Sequence, residues 1–200
     1  MRLQWLPQGN PGSSVAPVDI TINARSGIAS EDFVTNYLHV TGLGSILVTA
    51  TTSTGETDTA GQLVATSRIW TLQPGSSGSV SQSLPSVAMI DINSTTVAIQ
   101  GMRRDSRFRS NVGIVNVSSL AQHFQVIVAG SGGTESQQVD VPAQSMVLFQ
   151  LTGADSSFPI QIQVSNSTSP AGSPLWIAFA SSVDNVTGDA WTTLGSNLPQ

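Results

Sequence analysis

An antiparallel all-β fold, a sandwich or a barrel-like relative of one with about eleven strands, is what three features of the sequence predict. Apolar and polar residues alternate with period two over much of the chain, as in Val18, Ile20 and Ile22 set against Asp19, Thr21 and Asn23, which is the pattern of a strand with one face buried. Glycine- and serine-rich gaps separate these stretches. Helical spacing of apolar residues is nearly absent, so no strand–helix–strand alternation is available to build a parallel sheet.

Taken in order, residues 1–15 hold Pro7, Gly9, Asn10, Pro11, Gly12, Ser13 and Ser14 and read as an irregular arm or linker. The expected strands follow at Val18–Ile22, Tyr37–Val40, Ile46–Thr52, Leu63–Thr71, Thr95–Gly101, Val112–Val117, Phe124–Ala129, Gln137–Val141, Met146–Leu151, Ile160–Val164 and Leu175–Val183. The best helical window, Gly27–Asn36, is short, and Ser30 followed by Glu31 and Asp32 could cap one turn at most. The run Gly130, Ser131, Gly132, Gly133, Thr134, Glu135 supplies the positive φ values of a hairpin between the strands on either side.

Composition bounds the function. The chain has 200 residues, 18 Gly, no Cys, 10% charged residues and a formal net charge of −5, with a mean hydropathy of +0.10. A chain of this size buries roughly 70% of its unfolded surface and needs no disulfide or metal to hold a core. Without cysteine there is no disulfide framework, thiolate zinc site or thiol nucleophile. The negative charge disfavours nucleic acid and anionic membranes as partners, since both require a positive field. No run approaches the ~18 apolar residues of a spanning helix, and the opening residues lack the apolar centre of an export signal, so neither membrane insertion nor an intact leader is expected. With 30 Ser, 19 Thr, seven Arg and no Lys, the surface is poorer in charge than that of ordinary intracellular proteins, and an extracellular or cell-surface setting is expected.

Residues 16–200 read as one domain, with an internal duplication as a possible plan. Phe33, Val34, Thr35, Asn36 parallels Phe108, Arg109, Ser110, Asn111, and Leu63 to Arg68 parallels Trp176 to Ser181. The two related halves would be about 33–100 and 108–193, and would form two similar sheets.

Two runs carry a family resemblance: Ser106, Arg107, Phe108, Arg109, Ser110, Asn111, Val112, Gly113, Ile114, Val115, Asn116, and Ala180, Ser181, Ser182, Val183, Asp184, Asn185, Val186, Thr187, Gly188, Asp189. With the Val141-Pro142 turn and Thr66 to Trp70, they resemble a β-sandwich module of exported multidomain bacterial proteins whose pattern is FRTNxGxxN, a hairpin, and a closing ASVVDNxTGD. The resemblance spans roughly residues 33–193. It implies a noncatalytic structural, adhesion or ligand-presenting role, with other domains or extracellular polymers as partners. The stretch from Val40 to Gly44 is shorter than the family's first half, so the first sheet is expected to be incomplete, or completed by another chain. Val18, Ile20 and Ile22 could serve as an exchanged strand, making either a monomer or a strand-exchanged dimer.

Chemistry is thin. His39 and His123 are the two imidazoles, both in or beside expected strands, and no Ser sits in a G-x-S-x-G elbow. The acidic pairs Glu31/Asp32 and Glu56/Asp58 lie in polar loops. A carbohydrate-binding module, or an accessory domain of a secreted polysaccharide-active enzyme, is the alternative, with Trp70, Trp176 and Trp191 as stacking surfaces. Trp70 and Trp176 stand in apolar strands and are expected in the core, which leaves Trp191. Arg103, Arg104, Arg107 and Arg109 surround Phe108, and alternation puts Arg107 and Arg109 on one strand face. Those two join Trp191 as the candidate ligand contacts, against a plainer role in ion pairing with Asp105 or in edge protection; the duplication would bring Arg68 to the same patch. Asp184, Asn185 and Asp189, with Thr187 and Gly188, form an oxygen-rich turn that could hold calcium. The competing reading has Asp184 and Asn185 bonding backbone amides. No cofactor other than that calcium is implied.

Overall fold

A computed structural model describes residues 1–73, 75, 77–89, 96–152, 156–168 and 175–198. Two antiparallel sheets face each other. One has the order β10 (Ser145–Gln150), β7 (Phe108–Asn116), β12 (Trp176–Asp184), β13 (Ala190–Leu194). The other runs β14 (Ser196–Asn197), β6 (Thr96–Arg104), β11 (Ser156–Asn166), β8 (Gln122–Gly130), β9 (Gly133–Val141). The period-two pattern does what it predicts: Val112, Ile114, Trp176, Ala178 and Ala180 project from the first sheet into one core with Ile99, Met102, Phe124, Val126, Ile162 and Val164 of the second. Phe124 meets the edge of Trp176 at 5.0 Å between ring centroids, the offset geometry that aromatic quadrupoles favour. The expected hairpin is β8–β9, paired from Gln122↔Val141 to Gly130↔Gly133.

The opening residues correct the expectation of an irregular arm. Arg2–Pro7 is a strand, β1, at the centre of a third sheet between β2 (Val18–Asp19) and β3 (Gly44–Thr49). Its alternation is masked by adjacent Trp5 and Leu6, both buried, because β1 is covered on both faces. Leu3 and Trp5 pack with Leu38, while Leu6 packs with Val115 and Met146 on the outer face of the four-stranded sheet. The middle strand β7 is thereby buried on both sides along its second half, and Gly113 lets the Phe179 ring lie against the backbone where any Cβ would collide. This third sheet, in the part of the chain where an incomplete sheet is expected, takes β2 from the same chain, paired with β1 at Arg2↔Asp19 and Leu3↔Val18.

Tyr37–Val40 is not a strand. Val34–Leu38 is a single π-type turn ending at His39, whose φ is 53°. Just before it, Asp32 Oδ1 accepts the Thr35 amide at 3.1 Å, and Phe33 stacks on Tyr37 at 4.7 Å. The sequence parallel with Phe108 to Asn111 therefore joins a helical turn to a strand. The second parallel fails likewise: Trp176 to Ser181 is a buried central strand, whereas β4 (Thr66–Leu72) pairs with β5 (Ser79–Pro85) in a two-stranded ribbon. The two halves do not form similar sheets. Beside β1, strands β5, β13 and β14 were not expected from the sequence. Of the expected strand Thr95–Gly101, Thr95 lies outside the described residues.

Candidate functional site

The residues singled out by motif converge at one end of the sandwich, where the β6–β7 and β12–β13 turns lie side by side. Asp105 shapes the first turn: its Oδ1 accepts the amides of Arg107 and Phe108 at 2.8 and 3.0 Å, and its Oδ2 accepts Arg103 Nε at 2.6 Å. Arg103 holds Asp105 below the usual carboxylate range, with those amides assisting. Two cations lie over the Phe108 ring, Arg103 4.1 Å and Arg107 5.5 Å from its centre, within the reach of cation–π attraction.

Asp184 shapes the second turn. It is buried, 4% exposed. Its Oδ2 takes Arg107 Nη2 at 2.6 Å and Nε at 2.9 Å, and its Oδ1 takes the amides of Val186 and Thr187 at 2.8 and 3.3 Å. The Arg107 guanidinium, helped by those amides against the opposing effect of burial, pulls the Asp184 carboxyl down to about 2. Asn185 accepts Arg109 through Oδ1 and donates its backbone amide to Arg107 O at 2.8 Å. The Asp184 amide bonds Asp189 O at 2.8 Å.

Of the residues read as a calcium turn, Asp184 accepts backbone amides through Oδ1 and Arg107 through Oδ2, the Asx-type turn of the competing reading, whereas Asn185 Oδ1 accepts the Arg109 side chain rather than a backbone amide. Among the described residues no group of three His, Asp or Glu side chains is placed to hold an ion. Arg107 lies in the turn before β7 and only Arg109 is on the strand, and each bonds the β12–β13 turn, Arg107 through Asp184 and Arg109 through Asn185. Arg104 departs from the patch: buried at 7% exposure, it bonds Glu135 through both terminal nitrogens and donates to Thr152 O at 2.7 Å.

Trp191 is half-buried. Its Nε1 donates to Gly101 O at 3.1 Å, and its ring meets Phe108 edge-on at 5.8 Å, so it serves as wall of the core more than as a platform. Trp176 is buried as expected. Trp70 is the reverse of its expectation, 51% exposed on the ribbon, as are Ile69 and Leu72 on the same strand. The signal for this was the partner strand: register sets Trp70 against Ser81, with Ser79 and Ser83 on the same face, and serines cannot cover an indole. Arg68 lies on this ribbon. The ribbon rests on the Asp184 turn, with Gln73 Nε2 donating to Thr187 O at 3.3 Å and Val80 lying against Gly188.

The remaining polar candidates are dispersed. His39 is exposed at the end of the π-type turn. His123 Nδ1 pairs with Asp140 at 2.6 Å on the solvent face of the β8–β9 hairpin. Asp58 accepts the amides of Ala60 and Gly61. No helix among the described residues is long and apolar enough to cross a membrane.

Neither a protein-family model nor a curated protein matches the chain. A solved structure of Thermotoga maritima 1070 is similar over 53% of this chain and 96% of its own, with 11% identity and a TM-score of 0.44, a likeness too slight to carry an argument.

Proposed function

We propose that the chain is a noncatalytic structural and ligand-presenting module of an exported bacterial protein, working outside the cytoplasm beside other domains or extracellular polymers. One observation supports this most: the polar residues of the two family-like runs are committed to the chain itself. Arg107, Asp184 and Asn185 lock two turns together. Asn116 ties a strand end to three carbonyls, and Ser110 with Ser182 bonds Arg103 O. Side chains so engaged stabilise a scaffold, which supports a structural role for these two runs. The low charge and the abundance of Ser and Thr agree with an extracellular setting.

The test is turnover. Purified protein is incubated with chromogenic ester, glycoside and peptide substrates, beside the His123→Ala variant. No turnover is expected from either. Hydrolysis by the wild type that His123→Ala abolishes would overturn the reading, because His123 and Asp140 are the described pair nearest in kind to a base and its orienting group.

A further inference from the structure

We infer that the outward face of the β4–β5 ribbon, centred on Trp70, binds a neutral polysaccharide; this rests on the ligand-presenting reading above and names its ligand. Alternation along β4 puts Arg68, Trp70 and Leu72 on one face, and the register Arg68↔Ser83, Trp70↔Ser81, Leu72↔Ser79 sets a row of hydroxyls opposite them. Trp70 is 51% and Leu72 67% exposed. The other face carries Val80, Gln82 and Leu84 of β5, all half-buried, with Val80 seated on Gly188, beside Ile69 of β4, 62% exposed; both faces of β4 meet solvent, and the indole face is the one that offers an aromatic ring.

Dimensions and charge select the occupant. Seven residue pairs at ~3.4 Å per residue, on two strands ~5 Å apart, make a face roughly 24 Å long and about 10 Å wide. That is on the order of 240 Å², against the ~800 Å² per partner of a stable protein interface. A narrow polymer fits where a folded partner does not. A pyranose chain has an apolar ring face for the indole and equatorial hydroxyls for serine and arginine, and Trp suits such mixed surfaces because it offers large area with a polar edge. Arg68 is the one charged residue of the two strands, and the chain carries net −5, which suits an uncharged polymer and opposes nucleic acid.

Affinity electrophoresis in gels containing hydroxyethyl cellulose, mixed-linkage β-glucan, xylan, glucomannan or alginate tests this with the intact chain. At least one of the four neutral polymers is expected to retard the wild type. Trp70→Ala is expected to weaken that retardation tenfold or more, equivalent to about 1.4 kcal/mol, with Trp70→Phe in between and Leu120→Ala, exposed elsewhere, unchanged. Melting curves of all variants should match, since Trp70 lies outside the core. Retardation by no neutral polymer, by alginate alone, or equally in Trp70→Ala would overturn the inference. So would a dimer in sedimentation that Trp70→Ala dissociates, which would make a second copy the occupant. None of these outcomes touches the noncatalytic reading, which fails on turnover alone.

Discussion

Replacing Asn116 by Ala should be among the most damaging single changes in the chain. Asn116 closes strand β7 and is fully buried. Its Nδ2 donates to the carbonyls of Leu120, Val141 and Pro142 at 2.8, 3.2 and 2.8 Å, and its Oδ1 accepts Ser118 N at 3.0 Å and Ser118 Oγ at 2.8 Å. Two N–H protons shared among three carbonyls, with two accepted bonds, amount to about four full hydrogen bonds. At a net ~1 kcal/mol each, less what water recovers at the exposed Ser118–Leu120 turn and plus the cavity left by the carboxamide, the loss is about 3–5 kcal/mol. A domain of this size loses ~2–4 °C per kcal/mol, so the melting temperature should fall by roughly 6–20 °C. Asn116→Asp should be at least as damaging at neutral pH, because a carboxylate would face three carbonyls without a proton to give. Thermal and urea unfolding by circular dichroism measure both. A loss below about 1 kcal/mol for Asn116→Ala, or an Asp variant more stable than the Ala variant at pH 7, would show that the side chain does not join the two sheets as described.

Acid should weaken the fold through three ion-paired carboxylates. Asp184, held at about 2 by Arg107, and Asp105 and Asp19, lowered by Arg103 and Arg2, have folded pKa values below the ordinary 3.8, so their stabilisation is present above that value and lost as pH falls toward 2. Arg107→Gln should lower stability at pH 7 and flatten the decline between pH 4 and 2; an unchanged decline in melting temperature would refute the role of the pair. Chelator or added calcium should leave the melting curve where it is, because a ligand stabilises only by binding the native state; a calcium-dependent rise in melting temperature, lost in Asp184→Asn, would place a cation in the turn after all.

Local patterning was legible where one face of a strand meets the core. Phe124, Val126 and Val128 recur with period two and are buried while the residues between them, Gln125 and Ile127, are half-buried, and the Gly130–Gly133 turn follows from its glycines. Asp184 forms a turn that its short polar side chain favours, accepting the amides of Val186 and Thr187. Tyr37–Val40 shows the limit of pattern: four residues fit strand and turn alike, and the chain takes a π-type turn with Phe33 stacked on Tyr37.

Which strands are covered, and by what, belonged to tertiary structure. Trp70 and Trp176 both read as core residues of strands, yet Trp176 is buried at 3% and Trp70 stands 51% exposed, because β12 lies between β7 and β13 in the sandwich while β4 pairs with β5 alone. Trp5 and Leu6 broke the alternation of β1 because two different layers cover its faces. Arg107 finds Asp184 across 77 residues of sequence. Period and turn chemistry are properties of a few neighbouring residues, so the sequence displays them directly; burial and ion pairing depend on strands brought together from far along the chain, and only the folded sheets specify which ones meet.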